Sequence, residues 1–321
     1  MAQTTVVIPN YNGIKYIAAC LDSLYAGTVR DMEVIVVDNA SKDGSLELVK
    51  EHYPQVTLIE NAENMGFSYA VNQGIQAGRT PYVFLLNNDT EVEADCIEQL
   101  ENLMQSDERI FSASAKMIAL HDKEKLDDAG DYYCALGWAF ARGKGKHPSL
   151  YQENCDVFAA CAGAAIYRRE YFDEIGLFDV RHFAYLEDID IGYRARIYGY
   201  RNCYAAGAVV YHAGSATSGS RYNTFKTSLA SRNSVYIVYK NMPILQLILN
   251  LPFLLVGYGI KAAFFVRKGM GRDYVKGLWQ GVKLCLGSEG KSNKVRFCAK
   301  RLQNYAKIQV ELWINLFKML F

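Results

Sequence analysis

Four apolar runs fall within the first 90 residues, and each breaks off at a polar side chain. Thr4 to Pro9 ends at Asn10-Tyr11-Asn12-Gly13, Glu33 to Val37 at Asp38, and Val56 to Glu60 at Asn61. Each of these three is followed by a segment with helical spacing: Ile14, Ile17, Leu21 and Leu24, then Leu46, Val49 and His52, then Ala70, Gly74 and Ala77. The fourth run, Pro81-Tyr-Val-Phe-Leu-Leu86, is apolar enough to be buried on both faces and stops at Asn87-Asn88-Asp89. Strands alternating with helices over so short a stretch predict a parallel sheet with right-handed crossovers. Such sheets bind ligands outside the carboxyl ends of their strands. Asn87-Asn88-Asp89 alone could be a strand-ending turn; the repetition of polar strand ends makes Asp89 a candidate functional residue.

The way phosphates are held is narrowed by what is missing. The sequence contains neither GxGxxG nor GxxxxGK[ST], so the dinucleotide and P-loop solutions are excluded and a metal is the simplest remaining one. Eight cysteines occur without a CxxC pair, which argues against structural zinc and fits a reduced compartment. The N-terminus runs directly into a strand without a signal-like segment, so a cytosolic location is expected. The net charge of +1 conceals an asymmetry: residues 261–321 carry 13 basic and 3 acidic residues, and the body before them carries 22 basic and 31 acidic.

From Ala113 to Tyr167 the pattern loosens into expected short strands and turns, with Gly143-Lys-Gly-Lys146 as a loop. Leu186, Ile189, Tyr193 and Ile197 then share a helix face, so Glu187, Asp188 and Asp190 fall in its first turn. The helix dipole explains part of this, and Asp190 could simply cap. It explains less well why Glu187 and Asp188 are adjacent, since neighbouring carboxylates repel. Tyr200 to Tyr211 reads as strand and leads to His212. A strand-end histidine is commonly structural. If this strand returned beside the fourth one, however, His212 and Asp89 could converge on one hard cation.

Together Val6-Val-Ile-Pro-Asn-Tyr-Asn-Gly13, Val36-Val-Asp-Asn-Ala-Ser-Lys-Asp-Gly44, Asn64-Met-Gly-Phe67 with Asn72, Leu85-Leu-Asn-Asn-Asp89 and Glu187-Asp-Ile-Asp190 resemble glycosyltransferase family 2, most closely its bacterial rhamnosyltransferase branch. The resemblance implies an α/β GT-A fold: a mostly parallel open sheet flanked by helices, followed here by an α-helical C-terminal region. It implies an inverting transferase with a nucleoside-diphosphate sugar donor and Mg2+ or Mn2+. Pro9, Asn10, Tyr11 and Asn12 would line the nucleotide, Asp38 with Asn39 would bind the pyrimidine, and Asn64, Gly66, Phe67 and Asn72 would close over the donor. Asn87-Asn88-Asp89 stands at the DxD motif, with Asp89 and His212 as metal ligands. Asp188 stands at the catalytic base, with Glu187 beside it. Asn87 replaces the first Asp of DxD, so metal binding should lean on the diphosphate. The branch favours dTDP-rhamnose, while a pyrimidine site also admits a UDP-sugar, since one methyl is worth only about 1–3 kcal/mol. The QxxRW motif of processive synthases is absent. A non-catalytic scaffold of the same fold is the alternative that Asn87 leaves open.

The expected division is a transferase domain over 1–220 and a helical, basic amphipathic region over 221–321. Ile244 to Val266 is long enough to span a bilayer, but Gln246, Asn250, Pro252 and Lys261 interrupt it. Val275, Leu278, Trp279, Val282 and Leu286, and later Phe297, Leu302, Tyr305, Ile308, Leu312 and Leu316, alternate with lysines and arginines. This pattern suits an anionic membrane interface better than a nucleic acid; a homo-oligomer contact or a helical cap is the other use. A lipid-linked glycan acceptor at the inner face of the membrane follows as the expected partner.

Overall fold

The computed structural model describes residues 2–214 and 223–319; the anticipated division at 220/221 lies outside the described residues. The expected alternation is present: β1 (Thr4–Asn10), α1 (Ile17–Ala26), β2 (Glu33–Asp38), α2 (Ser45–His52), β3 (Thr57–Glu60), α3 (Phe67–Ala77) and β4 (Tyr82–Leu86). β1 pairs in parallel with β2 and β4, and β2 with β3. Side-chain alternation divides their residues between two layers. Val6, Ile8, Val34, Val36 and Phe84 join Ile17, Leu21 and Leu24 of α1 on one face, while Val7, Ile35, Val37, Val83 and Leu85 meet Ala70, Val71 and Ile75 of α3 on the other. Gly74 permits that approach, because a Cβ there would fall 2.2 Å from Val7 Cγ1.

Beyond β4 come β5 (Thr90–Val92), α4 (Cys96–Ser106), β6 (Ile110–Ala119), β7 (Leu126–Asp128), β8 (Asp131–Tyr133), β9 (Ala139–Ala141), β10 (Cys155–Val157), β11 (Ala164–Arg168), α5 (Tyr171–Ile175), α6 (Glu187–Tyr198) and β12 (Arg201–His212). The main sheet runs β10-β12-β6-β11-β4-β1-β2-β3. Two sequence expectations are corrected here. The loosened stretch begins inside β6, a ten-residue strand; its Ser112-Ala-Ser-Ala115 centre lacks the β-branched residues that signal a strand, because small side chains suffice between β11 and β12. And β12 does not return beside β4, since β6 and β11 intervene. His212 nevertheless reaches Asp89, because β5 starts at the next residue and pairs antiparallel with β12, setting Thr90 opposite His212.

The chain continues into α7 (Thr224–Asn241), α8 (Ile244–Arg267), α9 (Gly271–Leu286), α10 (Ser288–Ser292) and α11 (Leu302–Lys318). Ile237 and Val238 of α7, Leu254 of α8, and Tyr305, Ile308 and Leu312 of α11 share one core with Ile189, Tyr193 and Ile197 of α6. On α8 the usual arrangement is reversed. Gln246 and Asn250 face inward, where Gln246 Oε1 accepts from Tyr193 Oη at 2.7 Å and Asn250 exchanges amide hydrogen bonds with Gln309. Ile244, Leu245, Ile248, Leu249, Leu255, Val256 and Ile260 face outward and are exposed. The polar residues that interrupt the apolar run are thus absorbed by the protein.

Candidate active site

The carboxyl ends of β1 and β4, the start of α3, the end of β12 and the start of α6 surround one cavity of about 1190 Å³. It exceeds the roughly 300–1,000 Å³ usual for a single small ligand, so it has room for two reactants. Pro9, Asn10, Tyr11, Asn39, Asn64, Gly66, Phe67, Asn87, Asn88, Asp89, Glu187, Asp188 and His212 all line it.

The remaining three anticipated residues sit elsewhere. Asp38 lies behind Asn10, its two oxygens taken by Asn10 Nδ2 at 2.8 Å and by the Ser41 N–H at 2.9 Å. Asn12 bridges two loops at the rim, with Oδ1 accepting from the Lys42 N–H at 2.9 Å. Asn72 holds the Phe178 peptide from both sides, donating to its carbonyl at 2.7 Å and accepting from its N–H at 3.0 Å. Asp38 and Asn72 thus stand behind the cavity wall, each bonded to protein groups that line or support it.

At the strand ends, Asn88 Nδ2 donates to Asn10 Oδ1 at 2.7 Å, and Asn10 Nδ2 donates to Asp38, so the ends of β4, β1 and β2 form one chain of hydrogen bonds. Asn39 is fixed by Asn61 at 2.9 Å and reaches the Gly66 carbonyl at 3.3 Å. Gly66 has φ +86°, and a Cβ there would lie 2.6 Å from Phe183; the close approach of α3 to the 183–186 segment requires glycine.

Asp89 and His212 are the cavity's candidate pair for a divalent cation, which would take the place of the proton between them. Asp89 Oδ1 and His212 Nε2 face each other at 3.3 Å, close to the separation of about 3 Å between adjacent ligands around a metal with bonds near 2.1 Å. Behind the ring, Nδ1 lies 2.7 Å from Asp127 Oδ2, the carboxylate bracing common for metal-bound imidazole. Burial opposes the imidazolium, but Asp127 and Asp89 outweigh it and raise His212 to about 9. Asp127 is held well below the usual range despite its burial, by His212 and by Lys144, whose Nζ stands 2.5 Å away.

A second group of cavity-lining carboxylates has its pKa values pushed upward by burial. Burial, then the neighbouring Asp188, pushes Glu187 up to about 8, and its Oε2 has no hydrogen-bond partner. Burial likewise raises Asp188 to about 6, although Oδ1 accepts from the Ile189 N–H at 2.7 Å. Asp131 hydrogen-bonds Asp188 and is itself raised, chiefly by burial and then by the Asp128 charge. At neutral pH this leaves Asp188 as a proton acceptor beside groups able to donate.

Sequence reasoning missed Asp127, Asp128, Asp131 and Lys144. The available signal was three acids within Asp127-Asp-Ala-Gly-Asp131, a Gly-containing turn in the loosely patterned stretch. Asp190 does not cap. It is fully buried, with Lys240 Nζ at 2.7 Å, Arg194 Nη2 at 3.0 Å and Asn241 Nδ2 at 2.8 Å.

Buried carboxylates and an Asp–His pair lining one cavity at the strand ends of a GT-A sheet are the arrangement expected of a glycosyltransferase. Residues 5–176 match the family described as Glycosyl transferase family 2, and the chain belongs to that family. It is 25% identical over 239 residues to the N-acetylglucosaminyl-diphospho-decaprenol L-rhamnosyltransferase of Mycobacterium tuberculosis, covering 67% of this chain and 77% of that one. In fold it is similar to the Pyrobaculum calidifontis mannosyltransferase PcManGT, solved with GDP-Man and Mn2+, at TM-score 0.55 and 19% identity over 97% of this chain and 84% of that one. It is also similar to GalNAc-T7, solved with UDP, GalNAc and Mn2+, at TM-score 0.61 and 17% identity over 75% of this chain and 48% of that one.

Proposed function

We propose that the protein is an inverting, metal-dependent transferase that moves L-rhamnose from dTDP-rhamnose to a hydroxyl of a lipid-linked glycan in bacterial surface-polysaccharide synthesis. The observation that carries this is that Asp188 and the Asp89–His212 pair line the same cavity. Asp188 takes the proton of the attacking hydroxyl as the new bond forms, on the face opposite the leaving diphosphate. Glu187, buried and protonated, donates to an acceptor hydroxyl through its unpartnered oxygen. Asp89 and His212 would hold Mg2+ or Mn2+, which when bound offsets the charge of the leaving diphosphate. Asn39 borders the nucleotide, and Asn10, held between Asp38 and Asn88, shapes the same wall. The rhamnosyl donor and the prenyl-linked acceptor are favoured by the mycobacterial relative's name; a UDP-sugar is the second reading for the donor.

Calorimetric titration with dTDP, UDP and GDP, with and without Mg2+ or Mn2+, tests this. The expected result is metal-dependent binding that prefers dTDP, with Asp89→Ala losing about tenfold or more of the metal-dependent part. Preference for UDP would transfer the donor assignment to a UDP-sugar. Absence of binding to any nucleotide would favour the scaffold.

The exposed apolar face of α8 supports an inner-membrane-surface location. Trp279 on α9 and Ile314 and Phe317 on α11 are further exposed apolar residues of the basic C-terminal third. The protein is expected to sediment with phosphatidylglycerol vesicles and to be released by Leu245→Glu/Leu249→Glu/Val256→Glu. Sedimentation unaffected by those changes would sink the assignment of α8 as the contact.

A further inference from the structure

We infer that Asn233, oriented by Arg232, is a positioning residue for the catalytic carboxylates: from α7 it holds the 182–186 segment in the conformation that delivers Glu187 and Asp188 to the cavity. This rests on the reading of Asp188 as the base. The segment is unusual in its backbone. Phe183, Tyr185 and Leu186 have φ values of 62°, 68° and 67°, a conformation that non-glycine residues adopt at a cost of roughly 1–3 kcal/mol each and keep only where their surroundings impose it. Leu186 is the last of the three, and α6 begins at the next residue, with the Asp190 N–H already donating to the Leu186 carbonyl at 3.0 Å. Any relaxation of the segment therefore rotates the first turn of α6, on which both carboxylates stand.

The surroundings that impose it come from α7. Asn233 is fully buried, and its Nδ2 lies 2.9 Å from the His182 carbonyl, 2.9 Å from that of Ala184 and 2.8 Å from that of Tyr185. One amide group thus gathers three carbonyls of a five-residue stretch. Its own Oδ1 accepts from Arg232 Nε at 3.0 Å, which fixes the amide the right way round, and Arg232 Nη2 donates to the carbonyls of Arg181 and His182 at 2.5 and 2.9 Å. On the other side the Ser68 N–H donates to the Phe183 carbonyl at 3.2 Å. The segment is gripped between α3, on the nucleotide side, and α7. α7, which lies beyond the matched 5–176 region, then holds the segment that sets the first turn of α6.

The test is Asn233→Ala, read by kcat, KM for donor and acceptor, the pH profile of kcat, and donor affinity by calorimetry, with Ser234→Ala as the comparison. Ser234 is also buried on α7, but its hydroxyl donates to the Ser231 carbonyl of its own helix rather than to the 182–186 segment. A displacement of about 1 Å at a reacting group costs on the order of a hundredfold. Asn233→Ala should lower kcat by about that factor, move the acid limb of the profile, and leave nucleotide affinity within about threefold, while Ser234→Ala keeps kcat. Arg232→Ala, at a half-buried position, should lower kcat about tenfold with donor affinity intact; it decides the matter if Asn233→Ala does not fold. A folded Asn233→Ala with near-normal kcat, or an Arg232→Ala with unchanged kcat, overturns the inference. If Asp188→Asn is inactive while these variants are active, the positioning role alone fails. If Asp188→Asn is active, the base assignment fails with it.

Discussion

Asp188→Asn is expected to lower the transfer rate by about a thousandfold, the midrange of what a positioned general base contributes, while donor affinity stays within about threefold. The substitution keeps the shape of the side chain and its acceptance from the Ile189 N–H at 2.7 Å, so the first turn of α6 is retained and only the proton acceptor is lost. Burial raises Asp188 to about 6. The catalytically competent form is the ionised one, so the wild-type rate should rise with pH through about 6 and level off above it. That limb is expected to vanish in the variant, whose residual rate has no base to titrate. A rate profile compared between the two proteins checks this, with donor binding measured alongside. Near-normal turnover in Asp188→Asn would remove the base assignment, and an acid limb surviving unchanged would hand the titration to Asp131 or Glu187.

What could be read in the sequence and what could not follow from how far a residue's environment reaches along the chain. Asn10, Asn39 and Asp89 end or follow strands whose apolar runs are continuous, and in a parallel sheet that position alone brings them together. Glu187 and Asp188 were legible because a helical face starts beside them. Asn72 lies on the expected helix, but its partner Phe178 is 106 residues away, and nothing local reveals that its amide is filled. Asp127 and Asp131 depend on β7 pairing with β6 and on the Asp131–Ala159 bridge, a topology that small residues in β6 conceal. His212 was matched to Asp89 through a strand arrangement that does not occur; the contact exists because three residues of β5 carry the chain from the end of β4 to the end of β12. The polar residues of α8 pointed away from lipid only while their partners on α6 and α11 were unknown.

The same distance effect hides the centre of stability, and it gives the largest expected loss of folding energy. Lys240 Nζ stands 2.8 Å from Asp179 Oδ2 and 2.7 Å from Asp190 Oδ2, with all three side chains almost entirely buried. Tyr236 and Asn293 also donate to Asp179, and Arg194 and Asn241 to Asp190. Burial works against both carboxylates, yet Lys240 and the other cations hold their pKa values below the usual range. Lys240→Met keeps the volume and removes the charge that the two acids share. Breaking a buried ionic group from one side costs about 3–5 kcal/mol, which at roughly 2–4 °C per kcal/mol for a chain approaching this size is a fall in Tm on the order of 10 °C. Depressed carboxylate pKa values contribute stability that is present above the unfolded value of about 4 and is lost as pH falls below it. The deficit of the variant should therefore be full at pH 7 and shrink as the pH falls through 4, because protonated acids no longer need the lysine. Melting curves of both proteins across that range check the sign as well as the size. A Tm within 2 °C of wild type at pH 7 would mean that Arg194 and Arg181 neutralise the pair unaided, and that Lys240 fills space rather than joining α7 to α6.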